Sequence, residues 1–235
     1  PTYDWGTAAA IAIRMASRIT SRAEALVCSG VSPDRLSCMR NYAWSVVPTF
    51  TTVEIDSTTG LVDLEDLRAK MTDKVAVFYF ENPSFFGAIE HQGEQIAEII
   101  HAKGGILVAG VDPISLGVLE APANYGVDIA VGDIQGLGLP MSCGGGQGGF
   151  VASQDKPEYF GEFPSLMVSI CRTTVEGEYG FGQAFFERTS YDSREKAKDF
   201  LGTSVQLHGI GAGVYLALMG PQGMAEIGEG LMQRS

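Results

Sequence analysis

The sequence predicts an α/β domain built on a mainly parallel β-sheet with helices on both faces. Short, nearly continuous apolar runs at residues 75–80 and 106–110 are typical of strands buried on both faces. Amphipathic helical patterns separate these runs, and no internal repeat interrupts the alternation. Ligands of such sheets bind at the carboxyl ends of the strands, which places Asn82, Asp112 and the loop after Gly132 at the functional edge.

The first half of the chain alternates helix caps with strand patterns. Asp4 can cap a first helix, Pro33 suits the first position of a second, and Asp63 can cap a third. The third helix has an acidic first turn and a basic last turn, which suit its macrodipole. The predicted elements are a helix after Asp4, a strand at 25–28, a helix from Pro33, a strand at 51–55, a helix after Asp63 and a strand at 75–80.

The second half continues this alternation and then becomes harder to assign. The predicted elements are a helix at 95–103, a strand ending at Val111, a short strand at 128–132, a strand at 148–152, a buried helix at 207–219 that ends at Gly220-Pro221, and a last helix toward Met232. Residues 155–198 are polar with scattered aromatic side chains and carry no clear pattern. Within them, residues 176–182 are expected to form turns or a mobile loop.

Composition limits the classes of function. The chain has 45% apolar residues, 19% charged residues and a formal net charge of −12. A strongly acidic chain is poorly suited to nucleic acids or anionic membranes, and no apolar stretch approaches the roughly 20 residues that span a bilayer. The four cysteines form no C-x-x-C pair and the three histidines are far apart, so no metal site is predicted. Because the chain begins at Pro1 in the middle of a pattern, we interpret it as a fragment of a longer protein.

Three stretches could carry chemistry, and each has a purely structural alternative. The helix start at Gly6-Thr7 offers free N–H groups to a phosphate, although small residues are also common at helix starts for packing reasons. Asp112 could hold a pyridinium proton, or it could cap the turn that Pro113 begins. The glycines at 144–146 permit close approach of the backbone to a ligand, or a flexible connection between strands.

The spacing of Asp112 and Gly136 resembles the layout of pyridoxal-phosphate (PLP) enzymes with the aspartate-aminotransferase fold. In those enzymes an aspartate ends one strand and holds the pyridine nitrogen, and a lysine about two dozen residues later forms the Schiff base. Here Gly136 stands in the place of the lysine, and no lysine occurs between Lys103 and Lys156. The chain therefore resembles the scaffold of a PLP enzyme without its covalent anchor.

Seven stretches occur in the order found in one family of such enzymes. They are 3–10 (YDWGTAAA), 81–90 (ENPSFFGAIE), 111–117 (VDPISLG), 125–132 (YGVDIAVG), 138–142 (GLPMS), 194–197 (REKA) and 215–221 (YLALMGP). They resemble glycine dehydrogenase (decarboxylating), the P-protein of the glycine cleavage system, and within it subunit 1 of the two-subunit form. The resemblance covers nearly the whole chain, and the second and third stretches are its most specific parts.

This resemblance implies a fold and a set of site residues. The fold is the large domain of the PLP-dependent transferases, formed by residues 1–205, while residues 206–235 lead towards a small C-terminal domain that is largely absent. Subunit 1 is a degenerate copy without the PLP lysine, so no catalytic residue is expected here and Gly136 marks the vacant position. Remnants of a cofactor site are expected at Gly6, Thr7 and Asp112. The residues expected to line the site are Asn82, Phe86, Gly144, Gly145 and Gly146.

The resemblance also implies an activity and partners. The complete enzyme decarboxylates glycine and passes the aminomethyl group to the lipoyl arm of the H-protein. PLP would be bound by the second P-protein subunit, and this chain would supply scaffold and active-site wall in a cytoplasmic heterotetramer of paired heterodimers. An isolated chain is expected to form a homodimer, because obligate interfaces resemble a core cut in half.

Two other functions stay open at the level of the sequence. The first is a free-standing PLP enzyme, such as an aminotransferase or desulfurase, that uses Lys156 or a lysine outside this chain. Lys156 lies 20 residues past Gly136 and beyond a predicted strand, which disfavours it as the anchor. The second is a catalytically inactive scaffold or interaction protein that binds no ligand.

Overall fold

The chain folds into two compact units. The structure is a computed structural model of the 235-residue chain and describes residues 1–141, 148–164, 166–199, 201–202 and 205–235. The first unit comprises Pro1–Gln154 and Ser204–Ser235, and the second comprises Asp155–Thr203.

A six-stranded sheet forms the centre of the first unit. Its strands, in chain order, are β1 (Glu24–Cys28), β2 (Thr49–Val53), β3 (Val75–Glu81), β4 (Ile106–Gly110), β5 (Ile129–Asp133) and β6 (Gly149–Ser153). In space they follow the order β2-β1-β3-β4-β5-β6; the first five are parallel, and β6 runs antiparallel to β5. The predicted α/β fold with a mainly parallel sheet is therefore confirmed. The carboxyl ends of β1 to β5 all lie at one edge of the sheet, which we call the carboxyl edge.

Helices connect these strands, and their starts follow the predicted caps. They are α1 (Trp5–Thr20), α2 (Pro33–Ala43), α3 (Leu64–Lys70), α4 (Gly93–His101), α5 (Pro157–Phe160), which belongs to the second unit, and α6 (Gln206–Met232). Asp4 and Asp63 accept hydrogen bonds from N–H groups in the first turns of α1 and α3, and Pro33 begins α2. Gly220 has φ 62° and ψ −177°, so α6 is interrupted where the sequence predicted a helix end. No helix in the described part of the chain is long and apolar enough to cross a bilayer.

The core lies between the sheet and α1. All seven residues of β3 are buried, with Phe78, Tyr79 and Phe80 among the largest side chains removed from solvent. Helix α1 is buried over most of its surface because it contacts the sheet on one side and α2 on the other. Alanine fills its centre at Ala8, Ala9 and Ala10, and such small side chains let the helix approach both neighbours.

A buried polar network joins α1, α2 and β3 at the carboxyl edge. Arg35 donates from Nε and Nη2 to the two carboxylate oxygens of Glu81, each at 2.6 Å. Tyr79 donates its hydroxyl to Glu81 at 3.0 Å and accepts from the indole N–H of Trp5 at 3.0 Å, while the Arg35 guanidinium lies 4.2 Å from the centre of the Trp5 ring. At Gly110, the last residue of β4, a Cβ would lie 2.4 Å from the Tyr79 hydroxyl, so only glycine leaves room for the network.

The second unit contains a β-hairpin that the sequence did not predict. Strands β7 (Met167–Arg172) and β8 (Tyr179–Ala184) pair antiparallel, and α5 precedes them. Residues 176–182, expected as turns or a mobile loop, instead contain the end of the turn and the first part of β8. Both strands are largely exposed, so no alternation of buried apolar residues marks them in the sequence.

Replacing Arg35 with leucine tests the network. The change leaves the Glu81 carboxylate buried without its ion-pair partner, so we expect the free energy of unfolding to fall by about 3–5 kcal/mol in urea denaturation. Arg68→Leu is the matched control, because Arg68 pairs at 2.6 Å with the highly exposed Glu65 and such surface pairs contribute roughly 0–1 kcal/mol. A loss for Arg35→Leu no larger than that of the control would show that the buried pair does not stabilise this edge.

Candidate functional site

A cleft at the carboxyl edge is lined by two of the predicted site residues, Asp112 and Gly136. It has a volume of about 590 Å³ and lies beside the ends of β4 and β5, the start of α1 and both halves of α6. Its lining residues are Trp5, Asp112, Pro113, Ile114, Asp133, Gln135, Gly136, Tyr215, Ile227 and Leu231. These described residues include two carboxylates and two large aromatic rings but no lysine or arginine.

Asp112 is one of the residues that line the cleft, and its side chain also caps a turn. It lies two residues after the end of β4. The Oδ1 atom also accepts a hydrogen bond from the Ile114 N–H at 2.9 Å, and the Ser115 hydroxyl donates to the Asp112 carbonyl at 2.6 Å. The side chain therefore caps the turn after β4 while it faces the cleft.

Asp133 is a cleft residue that sequence reasoning missed. It ends β5, and its Oδ1 accepts from the Gln135 N–H at 2.6 Å. Burial raises the pKa of its carboxyl group above the usual aspartate range, and the nearby charges of Asp4 and Asp112 raise it further. The sequence did contain a hint of this role, because Asp133 begins the loop after Gly132. That loop was predicted to lie at the functional edge, since ligands of parallel sheets bind at the carboxyl ends of the strands.

Gly136 lies at the mouth of the cleft and is exposed. Among the described residues, a Cβ built there would meet the Ile114 side chain, at an ordinary contact distance of 3.4 Å. The backbone at this position can therefore carry a larger side chain without a clash.

Gly6 and Thr7 are adjacent to the cleft, but the helix start that they form is covered. Asp4 accepts from the Thr7 N–H at 2.6 Å and thus occupies the first turn of α1 with a carboxylate. Thr7 is buried, and its side chain is hydrogen-bonded to the Cys38 thiol group. A Cβ on Gly6 would lie 3.0 Å from the Cys38 Cβ, so α2 packs closely over this turn.

Asn82 and Phe86 are not among the residues that line the cleft, and three of the predicted glycines lie outside the described residues. Asn82 is buried, donates to the Glu90 carbonyl at 3.1 Å and accepts from the Glu90 N–H at 3.0 Å, so it closes the loop after β3. Phe86, at the tip of that loop, is exposed. Lys156 precedes α5 in the second unit. The predicted lining residues Gly144, Gly145 and Gly146 lie outside the residues that the structure describes.

The described residues hold no alternative centre for metal chemistry. No group of three or more His, Cys, Asp or Glu side chains within them could hold a metal ion. The two carboxylates of the cleft each bind a backbone N–H of the turn that follows their strand. The chemical character of the cleft is therefore that of an acidic, partly aromatic pocket.

Comparison with known proteins identifies the family of the chain. The family model of the glycine cleavage system P-protein matches residues 1–235. Two curated relatives named "Probable glycine dehydrogenase (decarboxylating) subunit 1" match 99% of the chain. The protein of Carboxydothermus hydrogenoformans is 39% identical, with 51% of its own length covered, and that of Sulfolobus acidocaldarius is 34% identical, with 52% covered. The chain thus spans about half the length of these relatives.

Solved structures agree with this family. A crystal structure of glycine decarboxylase (P-protein) of the glycine cleavage system, in inhibitor-bound form, superposes with a TM-score of 0.85 at 37% identity. It covers 96% of this chain and 49% of that protein. A sphingosine-1-phosphate lyase from Burkholderia pseudomallei shares the fold alone, with a TM-score of 0.59 at 14% identity over 96% of this chain and 49% of that one. The chain belongs to the glycine cleavage system P-protein family.

Proposed function

We propose that this chain is part of subunit 1 of a glycine dehydrogenase (decarboxylating) and builds scaffold and active-site wall without binding PLP. The complete enzyme would decarboxylate glycine and pass the aminomethyl group to the lipoyl arm of the H-protein. The observation that carries the proposal is a cleft at the carboxyl edge that contains Asp112 but has glycine at position 136 and, among its described lining residues, no cationic side chain. The match to curated subunit 1 proteins over 99% of the chain supports the same assignment.

Three features of the cleft argue against PLP in this chain. Gly136 has no amine that could form a covalent bond to the cofactor. The first turn of α1, where a phosphate would bind, already holds the Asp4 carboxylate and is packed against Cys38. Asp133 and Asp112 add further negative charge, and the lining residues in the described part of the chain include no cation to balance a phosphate. When bound in the partner subunit, PLP would supply the electron sink for decarboxylation.

The proposed partners follow from this division of roles. The second P-protein subunit would hold PLP, and the lipoylated H-protein would deliver the acceptor arm to the heterotetramer in the cytoplasm. An isolated chain would form a homodimer through the surface that the second subunit covers in the enzyme. A free-standing PLP enzyme that uses Lys156 is less well supported, because relatives named subunit 1 match 99% of the chain and because Lys156 lies 20 residues past Gly136, beyond β6.

Asp133→Asn should change stability in a pH-dependent way. Burial raises the folded-state pKa of Asp133 above that of an ordinary aspartate, so the ionised carboxylate lowers the stability as pH rises through the folded pKa. We expect the asparagine variant, which keeps an acceptor for the Gln135 N–H, to melt roughly 1–3 °C above the wild type at pH 7. The gain should shrink as pH falls through the unfolded-state pKa of about 3.9 and vanish below about pH 3, where the wild-type group is protonated in both states.

Asp56→Asn is a control for which the expected change in stability at pH 7 has the opposite sign. Hydrogen bonds from the Thr59 N–H, the Thr58 N–H and the Thr59 hydroxyl hold the pKa of the exposed Asp56 below its usual value. Its stabilising contribution is present above the unfolded pKa and is lost as pH falls, so this variant should be less stable than the wild type at pH 7. Equal shifts for both variants would rule out the electrostatic account of the cleft.

Gly136→Lys tests the proposed absence of a PLP site. Because position 136 is exposed and open, we expect the variant to fold with a free energy of unfolding within about 0.5 kcal/mol of the wild type. After incubation with PLP and borohydride reduction, peptide mass mapping should find no stoichiometric phosphopyridoxyl label at position 136. The physical reason is that the Asp4 carboxylate still occupies the start of α1.

A second variant tests whether the Asp4 carboxylate, and not only the missing lysine, prevents PLP from binding. Gly136→Lys combined with Asp4→Ser keeps a capping oxygen but removes the charge from the helix start. Labelling of the double variant alone would identify Asp4 as the group that excludes the phosphate. Stoichiometric labelling of Gly136→Lys by itself would contradict the proposal that the cleft has lost its cofactor site.

Reconstitution tests the proposed activity. The protein that carries this chain would be combined with the second P-protein subunit, PLP and lipoylated H-protein, and exchange of labelled bicarbonate into glycine would be measured. We expect exchange only when both subunits are present. Equal exchange by the second subunit alone would show that this chain is not needed for the reaction.

A further inference from the structure

The loop between β3 and α4 presents an exposed aromatic tip at the carboxyl edge. Phe85 is 52% exposed, Phe86 is 68% exposed and Ile89 is 43% exposed. The two phenyl rings contact each other edge to face, with centroids 5.5 Å apart. Residues 82–89 contain no charged side chain, in a chain whose net charge is −12. The tip is therefore an exposed apolar patch on a protein with a strongly negative net charge.

Hydrogen bonds hold this tip in one conformation. At its base, the Asn82 side chain bonds both the N–H and the carbonyl of Glu90. Within the loop, the Ser84 N–H donates to the Ala88 carbonyl at 2.8 Å, and the Ser84 hydroxyl accepts from the Ala88 N–H at 3.1 Å. The Phe85 N–H donates to the Gly30 carbonyl at 2.8 Å, which ties the tip to the end of β1.

The base of the loop is fixed in turn to its surroundings. The buried Glu90 carboxylate accepts from the Val62 N–H and from the Gln92 N–H, each at 2.8 Å. Each carboxylate oxygen thus receives a backbone donor, which satisfies a buried charge. The loop that carries two exposed phenyl rings is therefore anchored to the segments on both of its sides.

Such a tip has the properties of an interface anchor. Interface cores are depleted of charge and enriched in aromatic residues, and a few aromatic side chains provide most of the binding energy. Because the loop is already ordered, binding would lose little conformational entropy. The exposed apolar surface of the tip is roughly 300 Å², which is too small for a whole interface of about 800 Å² per partner but suits its central cluster.

We infer that the Phe85–Phe86 tip inserts into an apolar pocket of the second P-protein subunit and sets the register of the two subunits. This inference rests on the proposed function, in which the chain forms a wall of the partner's active site. If this chain forms part of the wall of the second subunit's active site, one of its surfaces must contact that subunit. Both the tip and the cleft lie at the carboxyl edge. A second subunit seated over the cleft is therefore adjacent to the tip, and the lack of charge there favours a complementary apolar pocket.

The test measures binding of the second P-protein subunit to the protein that carries this chain, by isothermal titration calorimetry. We expect Phe86→Ser, and more strongly Phe85→Ser with Phe86→Ser, to raise Kd roughly 30-fold or more. The Phe86→Leu variant keeps an apolar side chain at this position, so its Kd should stay within a few-fold of the wild-type value. Because these side chains are exposed, their removal should leave the urea unfolding transition unchanged, which verifies that each variant is folded.

Trp44→Ser is the matched control. Trp44 is 69% exposed and follows α2, a helix that starts at the carboxyl edge and returns to the opposite edge of the sheet. Its removal should leave Kd within about twofold of the wild type.

Three results would overturn the inference in distinguishable ways. If the wild type binds and the tip variants bind equally well, the tip is not the anchor, while the proposed function stands. If the variants lose only self-association, the pocket belongs to a second copy of this chain. If the wild type does not bind the second subunit at all, the proposed function fails, and the inference fails with it.

Discussion

The buried ion pair between Arg35 and Glu81 is the interaction on which the carboxyl edge depends. A carboxylate removed from water costs several kcal/mol unless it is paired and hydrogen-bonded. Glu81 meets that requirement with two bonds from Arg35 and one from Tyr79, which in turn accepts from Trp5. These donors come from α2, β3 and α1, so satisfying one buried charge fixes the relative positions of three elements. The ends of those elements lie at the edge that contains the cleft.

The same network helps to explain why the cleft is acidic. The guanidinium of Arg35 forms an ion pair with Glu81 and stacks on the Trp5 ring, so its charge is largely neutralised within the network. Its attraction for Asp133 is outweighed by burial and by the charges of Asp4 and Asp112, as the raised pKa of Asp133 indicates. At the start of α1, the positive end of the helix dipole is met by the Asp4 carboxylate instead of a bound anion. The dipole of α1 is therefore compensated by a side chain of the same chain.

The sequence predicted the parts of the fold that depend on neighbours along the chain. Apolar runs marked β3 and β4 because both faces of those strands are buried, and Asp63 marked the start of α3 because capping is a local interaction. The hairpin of β7 and β8 was missed because its exposed strands carry no burial pattern. The network around Glu81 was invisible for another reason, since Trp5 and Arg35 are separated from it by 76 and 46 residues and meet only in three dimensions.

The candidate site was predictable to a similar degree. Asp112 and Gly136 were linked by their spacing along the chain and by the expectation that ligands bind at the carboxyl ends of strands. In the structure, both residues line one cleft. Asp4 was correctly predicted as a cap, but its effect on the neighbouring Gly6-Thr7 turn depends on the packing of α2, which no local pattern reveals. Asn82 was assigned to the functional edge, yet its amide is used within its own loop.

The hydrogen bond from the Ile114 N–H to Asp112 bears on how a carboxylate at the end of a strand should be interpreted. This carboxylate supports the turn after β4 whether or not a cofactor is present, so folding alone is enough to preserve it. A side chain at position 136 would project from an exposed turn and has no comparable task in the scaffold. The fold by itself is therefore enough to explain a carboxylate at this strand end. Its presence is weak evidence for any chemistry at this position.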